Sequence, residues 1–109
     1  MANNEIRISI AKEFSITPGA RFRADGPYSG EEFREDFLEG PMRDTKIRKI
    51  VIVLDGTEGY ATSFLEEAFG GLARLFDEAR CLEKLEFIST EDPLQIEEIK
   101  GYIRDGKIK

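Results

Sequence analysis

The sequence contains no histidine and a single cysteine, Cys81. Without histidine, the imidazole general bases and the commonest zinc ligands are missing, which excludes metal hydrolases and Ser-His-Asp enzymes. One cysteine cannot form a disulfide within the chain. We therefore expect a protein that is not an enzyme and that holds no metal and no cofactor, in which Cys81 is a small core or boundary residue.

Long apolar runs and excess positive charge are also missing. No stretch approaches the roughly 18 consecutive apolar residues of a membrane helix, and the first residues do not have the pattern of a signal peptide. The 16 basic residues are outnumbered by 22 acidic ones, which gives a net charge of −6 without a basic stripe. A phosphate backbone would be repelled by this charge. We expect a cytoplasmic protein that contacts neither membrane nor nucleic acid.

What is present is enough apolar sequence for one core. At 109 residues and 40% hydrophobic content, the chain is expected to form a single domain over residues 1–109. The alternation of Ile6, Ile8 and Ile10 predicts a first strand, and the unbroken β-branched run at 50–53 predicts a central strand covered on both faces. "KLEFIS" predicts a further strand, while residues 20–24 are a loop or a short edge strand.

Helix signals separate these strands. Ser29 with Glu32 forms a capping box that predicts a helix ending at Gly40-Pro41. A principal helix beginning at Ser63 is predicted from helically spaced apolar residues: Leu65, Ala68, Phe69, Leu72, Leu75, Phe76 and Ala79. Asp92-Pro93 begins a last helix. The order predicts an α/β fold with right-handed crossovers, in which helices pack on a small mixed sheet of about four strands.

The junction "LDGTEGYATSF" between the central strand and the principal helix is the candidate site. Asp55-Gly56-Thr57 is interpreted as a turn, in which Asp55 accepts hydrogen bonds from loop amides and Gly56 adopts a positive φ. The haloacid-dehalogenase phosphatases share an Asp-Gly-Thr segment, but the position of their nucleophile is Val53 here, which cannot attack phosphorus. The junction also lacks the lysine of a Walker A loop.

Ser63 has two interpretations that do not exclude each other. In the first, Ser63 and Glu66 form a capping box, and the hydroxyl stabilises the helix by about 1 kcal/mol. In the second, the hydroxyl accepts a phosphate, which the amide groups and the dipole of a helix start would tolerate. The sequence alone leaves both roles open.

The next turns of the same helix carry two carboxylates and two glycines. Glu66 and Glu67 point about 100° apart, so they are interpreted as a solvated face and not as paired catalytic acids. Gly70-Gly71 costs helix stability and predicts a close approach by a crossing backbone, an aromatic ring or a partner protein.

The pattern Ser-Phe-x-x-Glu-x-Phe-Gly, formed by Ser63, Phe64, Glu67, Phe69 and Gly70, resembles small bacterial STAS-like domains of unknown function. "SGEEFRE" at 29–35 is similar to that family's upstream segment. At longer range the chain is similar to the anti-sigma-factor antagonists, and the likeness covers about residues 6–75. The resemblance implies a small sheet with helices packed on it.

In those antagonists a partner kinase with a histidine-kinase-like ATPase fold phosphorylates a serine at the start of the helix that follows a central strand. Phosphorylation dissociates the complex. The resemblance implies that Ser63, or Thr62 beside it, takes this place. The antagonists carry Asp-Ser-Ser-Gly where this chain has Ala61-Thr62-Ser63-Phe64.

The sequence is thus predicted to encode a regulatory protein-interaction module of the STAS-like type. The resemblance implies a kinase-type ATPase as its protein partner. The candidate phosphoacceptor and partner-binding residues are Asp55, Gly56, Thr57, Glu58, Tyr60, Thr62, Ser63 and Glu67. The alternative is a small nucleotide-binding protein or enzyme that uses Asp55, Thr57 and Ser63.

Overall fold

A β-sheet forms one layer of the computed structural model, which describes residues 4–106. Its strands are β1 (Glu5–Ser9), β2 (Lys49–Val53) and β3 (Leu85–Ile88). They are parallel and lie in the order β1-β2-β3, so the predicted central strand is confirmed. Within the described residues the sheet has three strands and is wholly parallel, in contrast to the mixed sheet of about four strands that the sequence predicted.

Residues 20–24, which the sequence predicted to form a loop or a short edge strand, form a loop. The carbonyl oxygens of Ala20 and Arg21 accept hydrogen bonds from the amides of Gly30 and Glu31, at 2.9 and 3.0 Å. A 3-10 turn follows at Arg23–Asp25. The carbonyl groups of this segment therefore accept hydrogen bonds from the first amides of a helix, and the segment is not a strand of the sheet.

The first helix, α1, covers residues 30–43 and contains a π-helical turn in its middle. Its pieces are Gly30–Phe33, the π turn Arg34–Leu38, and Glu39–Arg43. Ser29 caps it as predicted, because its hydroxyl accepts from the Glu32 amide at 3.0 Å. The predicted end at Gly40-Pro41 is wrong. Proline removes only one hydrogen bond, and the helix continues because Met42, just beyond it, is 1% exposed in the core.

The second crossover contains two helices. The longer one, α2, covers residues 62–76 as Thr62–Leu65, the π turn Glu66–Gly70, and Gly71–Phe76. It ends at Asp77, whose φ of 80° no helix can accommodate. The Asp77 carboxylate then caps α3 (Glu78–Lys84) by accepting from the Arg80 amide at 3.0 Å. The predicted principal helix is therefore two helices.

All the helices contribute to one core on one face of the sheet. Two right-handed crossovers between sequential parallel strands bring their helices to the same face. The register aligns Ile8, Ile52 and Phe87 toward this core, while Arg7, Val51 and Glu86 point to the opposite face.

The last helix, α4 (Leu94–Gly106), follows Asp92-Pro93 as predicted and adds Ile99 and Ile103 to the core. Cys81 is buried there too, as predicted, and burial raises the pKa of its thiol to about 12. Among residues 4–106, the helices are all too short or too polar to cross a membrane.

Candidate functional site

Asp55 lies directly beyond β2 and ties two loops together. Its Oδ1 accepts from the Glu91 amide at 2.8 Å, and its Oδ2 accepts from the amide and the hydroxyl of Thr90 at 3.0 and 2.9 Å. In return, Glu91 Oε1 accepts from the Gly56 amide at 3.0 Å. The backbone bonds from Glu91 and Thr90 hold the pKa of Asp55 below its ordinary value. We call this arrangement the Asp55 clamp.

The Asp55 clamp confirms the predicted turn, but Asp55 accepts hydrogen bonds from other amides than the sequence predicted. Gly56 has a φ of 98°, as expected of this turn. The amides bound by Asp55, however, belong to the loop after β3. No role for that loop was predicted from the sequence. The carboxyl ends of parallel strands meet at one edge of a sheet, and this geometry places Thr90 beside Asp55.

The rest of the loop is held by its own hydrogen bonds. Thr57 Oγ1 accepts from the Gly59 amide at 3.3 Å, and the Glu58 amide donates to the carbonyl of Ile16 at 2.7 Å. These contacts fix the backbone on both sides of the exposed Glu58 side chain.

Tyr60 closes the loop against the strand. Its hydroxyl donates to the Leu54 carbonyl at 2.8 Å, and its ring packs against the ring of Phe64 with centroids 5.9 Å apart. Burial raises the pKa of Tyr60 to about 12, so it remains a donor at neutral pH. Tyr60 therefore serves to anchor the loop.

The helix start beside this loop is exposed and lacks a side-chain cap. Ala61 occupies the N-cap position, and Thr62 and Ser63 are the first two helical residues. The predicted capping box of Ser63 with Glu66 is therefore wrong, because the helix begins before Ser63. Thr62 is exposed and Ser63 is half-buried. Within residues 4–106 neither hydroxyl takes part in a hydrogen bond, so both are available for contacts.

Glu66 and Glu67, one turn further on, are 7% and 8% exposed, so the predicted solvated face is wrong. Glu66 binds Arg21 at 2.5 Å and Arg74 at 2.7 Å, while Glu67 binds Arg34 at 2.5 Å. Residues 64–73 are all buried, because α2 lies between α1 and α4. The acidic pair thus forms a buried ion cluster with Arg74 of the same helix and with Arg21 and Arg34 from two other parts of the chain.

Arg34 shows how this cluster stays charged. Burial alone would lower the pKa of its guanidinium, but hydrogen bonds with Glu67 and Glu39 raise that pKa above its ordinary value. Its Nε lies 3.0 Å from Glu39, and its Nη1 also donates to the Glu67 carbonyl at 3.0 Å. Glu67 therefore has a structural role inside the domain, unlike the exposed Thr62 one turn earlier in α2.

The two glycines of α2 are close to other parts of the same chain. A Cβ on Gly70 would lie 3.2 Å from the Tyr102 carbonyl, and a Cβ on Gly71 would lie 2.6 Å from Arg34 Nη1. The predicted close approach is confirmed. It is made by α4 and by an arginine of the buried ion cluster, so neither glycine leaves a bare surface for a partner.

Two cavities border the clamp. A cleft of about 600 Å³ lies between the ends of β1 and β2 and includes Arg7, Lys12 and Asp55. A recess of about 170 Å³ on the other side includes Asp55, Thr57 and Tyr60. Ser63 lines neither cavity, so the three residues that a small enzyme or nucleotide binder would use do not converge. Residues 4–106 contain no group of three or more metal-ligating side chains.

The sequence model of a protein family described as a STAS-like domain of unknown function (DUF4325) matches residues 29–95. The match covers more than half of the chain, from the cap of α1 through the Asp55 clamp, and the chain therefore belongs to this family. No curated protein and no solved structure matches the chain.

Proposed function

We propose that this STAS-like domain is a non-catalytic regulatory module whose protein partner docks at the junction surface. We define the junction surface as loop 56–61 with Thr62 and Ser63. The observation that carries the proposal is the exposed, uncapped helix start, where two hydroxyls without structural bonds follow a loop that the clamp holds in place. The similarity of the chain to the anti-sigma-factor antagonists, in which a serine at a helix start is phosphorylated, supports the same proposal.

The fixed loop favours recognition over catalysis. Asp55, Thr57 and Tyr60 use their polar atoms to hold the loop backbone, so they are not free to act on a substrate. A loop that is already ordered loses little conformational entropy when a partner binds to it. The polar residues that first suggest an active site therefore support a preformed contact surface.

Phosphorylation of Ser63 or Thr62 would act as the switch. A phosphate in the first turn of α2 would face free amide groups and the positive end of the helix dipole, so the fold would tolerate it. A partner surface that fits a neutral hydroxyl would instead meet new charge in a desolvated contact, which weakens binding strongly. Because such a switch requires ATP, the proposal includes a kinase-type ATPase as partner and a cytoplasmic location.

Affinity capture from the native host tests the proposal. The baits are wild type, Ser63→Ala, Ser63→Glu and, as a matched control, Thr45→Glu. Thr45 is also an exposed hydroxyl, but it precedes β2 at the opposite end of the sheet, where it lines a separate cleft, so its substitution leaves the junction surface unchanged. We expect wild type and Thr45→Glu to capture the same protein, and Ser63→Glu to lose it. Equal capture by Ser63→Glu would contradict the proposed function.

A further inference from the structure

The end of the sheet opposite the junction surface has a basic cleft. It has a volume of about 430 Å³, is lined by Arg48, Lys49, Arg80 and Lys84, and contains one carboxylate, that of Glu83. This local charge is opposite in sign to the net charge of −6. The sequence has no basic stripe, and these cations come together only in the fold, because the start of β2 and the end of α3 bring together two segments distant in the chain.

The cations of this cleft are held in place by neutral groups. Lys49 Nζ donates to the Glu83 carbonyl at 2.6 Å, and Lys84 Nζ donates to the carbonyls of Met42 and Asp44 at 3.2 and 3.0 Å. These carbonyl groups orient the amines at the ends of α1 and α3 but do not cancel their charge.

Carboxylates do not neutralise the cleft either. Within residues 4–106, none of its four cations forms an ion pair, whereas Arg21, Arg34 and Arg74 are all paired in the buried ion cluster. The pKa of Lys84 is lowered by its partial burial and by the nearby charge of Arg80, while the Asp44 carboxylate raises it. The cleft therefore gathers four cations near the carboxylates of Glu83 and Asp44.

We propose that the basic cleft binds a compact multivalent anion, namely a diphosphate group. Four cations around one cleft exceed what the carboxylates of Glu83 and Asp44 can neutralise, and arginine matches phosphate oxygens in a bidentate geometry. The volume suits a small ligand, whereas a long polyanion would also meet the acidic remainder of the chain. The site would also link α1, β2 and α3, so binding should stabilise the fold.

The test is calorimetric titration of the full chain with sodium pyrophosphate at low salt, with thermal melting in parallel. ADP, as a second titrant, distinguishes a nucleotide source of the diphosphate from an inorganic one. We expect saturable binding and a higher melting temperature with at least one of the two. Arg48→Gln should weaken binding about tenfold, because one charge-assisted contact is lost. Arg48 is the best position, since its side chain is exposed and forms no hydrogen bond or ion pair within residues 4–106.

Two further variants sharpen the test. Glu83→Gln removes the carboxylate of the cleft and should strengthen binding severalfold. Arg23→Gln removes an exposed arginine that already pairs with Glu35 and Asp36 elsewhere, and it should leave binding unchanged. Absence of saturable binding, or an equal loss in Arg48→Gln and Arg23→Gln, would overturn the proposal. Tighter binding of a single-stranded oligonucleotide than of either diphosphate would overturn it in favour of nucleic acid.

Discussion

The first and second turns of α2 show opposite uses of polar side chains. Thr62 and Ser63 lie at the solvent-facing start of the helix and make no hydrogen bonds within residues 4–106. One turn later, Glu66 and Glu67 are buried and bound by arginines. The side chains of the second turn are bound within the fold, whereas those of the first turn are not. Position against the neighbouring helices, more than polarity, decides which of these side chains the fold binds.

Glu67→Ala, in the buried second turn of α2, should cause the largest loss of stability among these variants. It removes the more buried of the two carboxylates that bind Arg34, whose side chain is 11% exposed, and leaves only Glu39 within 3.0 Å. Removing one member of a buried pair costs about 3–5 kcal/mol, so the free energy of unfolding in urea should fall by that amount. Asp36→Ala is the matched control, because its carboxylate is 52% exposed and pairs with Arg23 near the surface, so its loss should cost less than about 1 kcal/mol. Equal losses in the two variants would show that the buried ion cluster is not structural.

Gly30→Ala tests how closely α1 approaches α2. A Cβ at Gly30 would meet the carbonyl oxygen of Phe64 and lie 3.2 Å from the Cβ of Glu67. Because a backbone must shift to make room, unfolding measurements should show a loss of about 1–3 kcal/mol. Gly40, in the same helix, has open space at its Cβ, so Gly40→Ala should be neutral or gain up to about 1 kcal/mol. Destabilisation of similar size by both would contradict the close packing.

Asp55→Asn should have an intermediate effect that depends on pH. The folded pKa of Asp55 lies below its ordinary value of 3.8, so its stabilisation is present above that value and is lost as the pH falls through the folded pKa. At neutral pH the variant should lose about 1–2 kcal/mol with its charge-assisted bonds. Its stability should also fall less steeply than that of wild type below about pH 4.

Asp25→Asn is the control for this pH profile. Asp25 is an exposed carboxylate of the 3-10 turn, far in sequence from the clamp. Denaturant unfolding between neutral and acid pH should give a wild-type profile for this variant. If Asp55→Asn also follows the wild-type profile, the Asp55 clamp contributes nothing to stability.

Local patterns allowed much of the fold to be predicted. The β-branched run of β2, the Ser29 cap and the close packing at Gly70 each depend on a few neighbouring residues, and each is confirmed. The end of α1 and the break at Asp77 were missed, because core packing overrode Pro41 in one case and a positive φ interrupted an apolar pattern in the other.

Long-range electrostatics could not be predicted in the same way. Glu66 has the sequence signature of a capping residue, and only the folded chain shows that Arg21, 45 residues away, lies beside it. The basic cleft likewise combines Arg48 with Lys84, which no local pattern connects. The turn at Asp55 was predictable because it follows a strand, whereas its partners required knowledge of the strand order.

Ser63→Glu should have the smallest effect on stability and the most informative effect on binding. A carboxylate in the first turn faces the favourable end of the helix dipole, so the free energy of unfolding should change by no more than about 1 kcal/mol. Thermal melting of Ser63→Glu beside Ser63→Ala checks this expectation. A variant that unfolds would show that Ser63 belongs, like Glu67, to the structural part of α2.

The most direct test of the junction surface is the affinity of wild type and Ser63→Glu for the protein captured from the native host. Both chains should be folded by thermal melting before binding is measured. We expect Ser63→Glu to bind roughly a hundredfold or more weakly, because an unpaired charge in a desolvated contact costs several kcal/mol. Equal affinity of the two folded chains would contradict the account and leave the start of α2 with a structural role only.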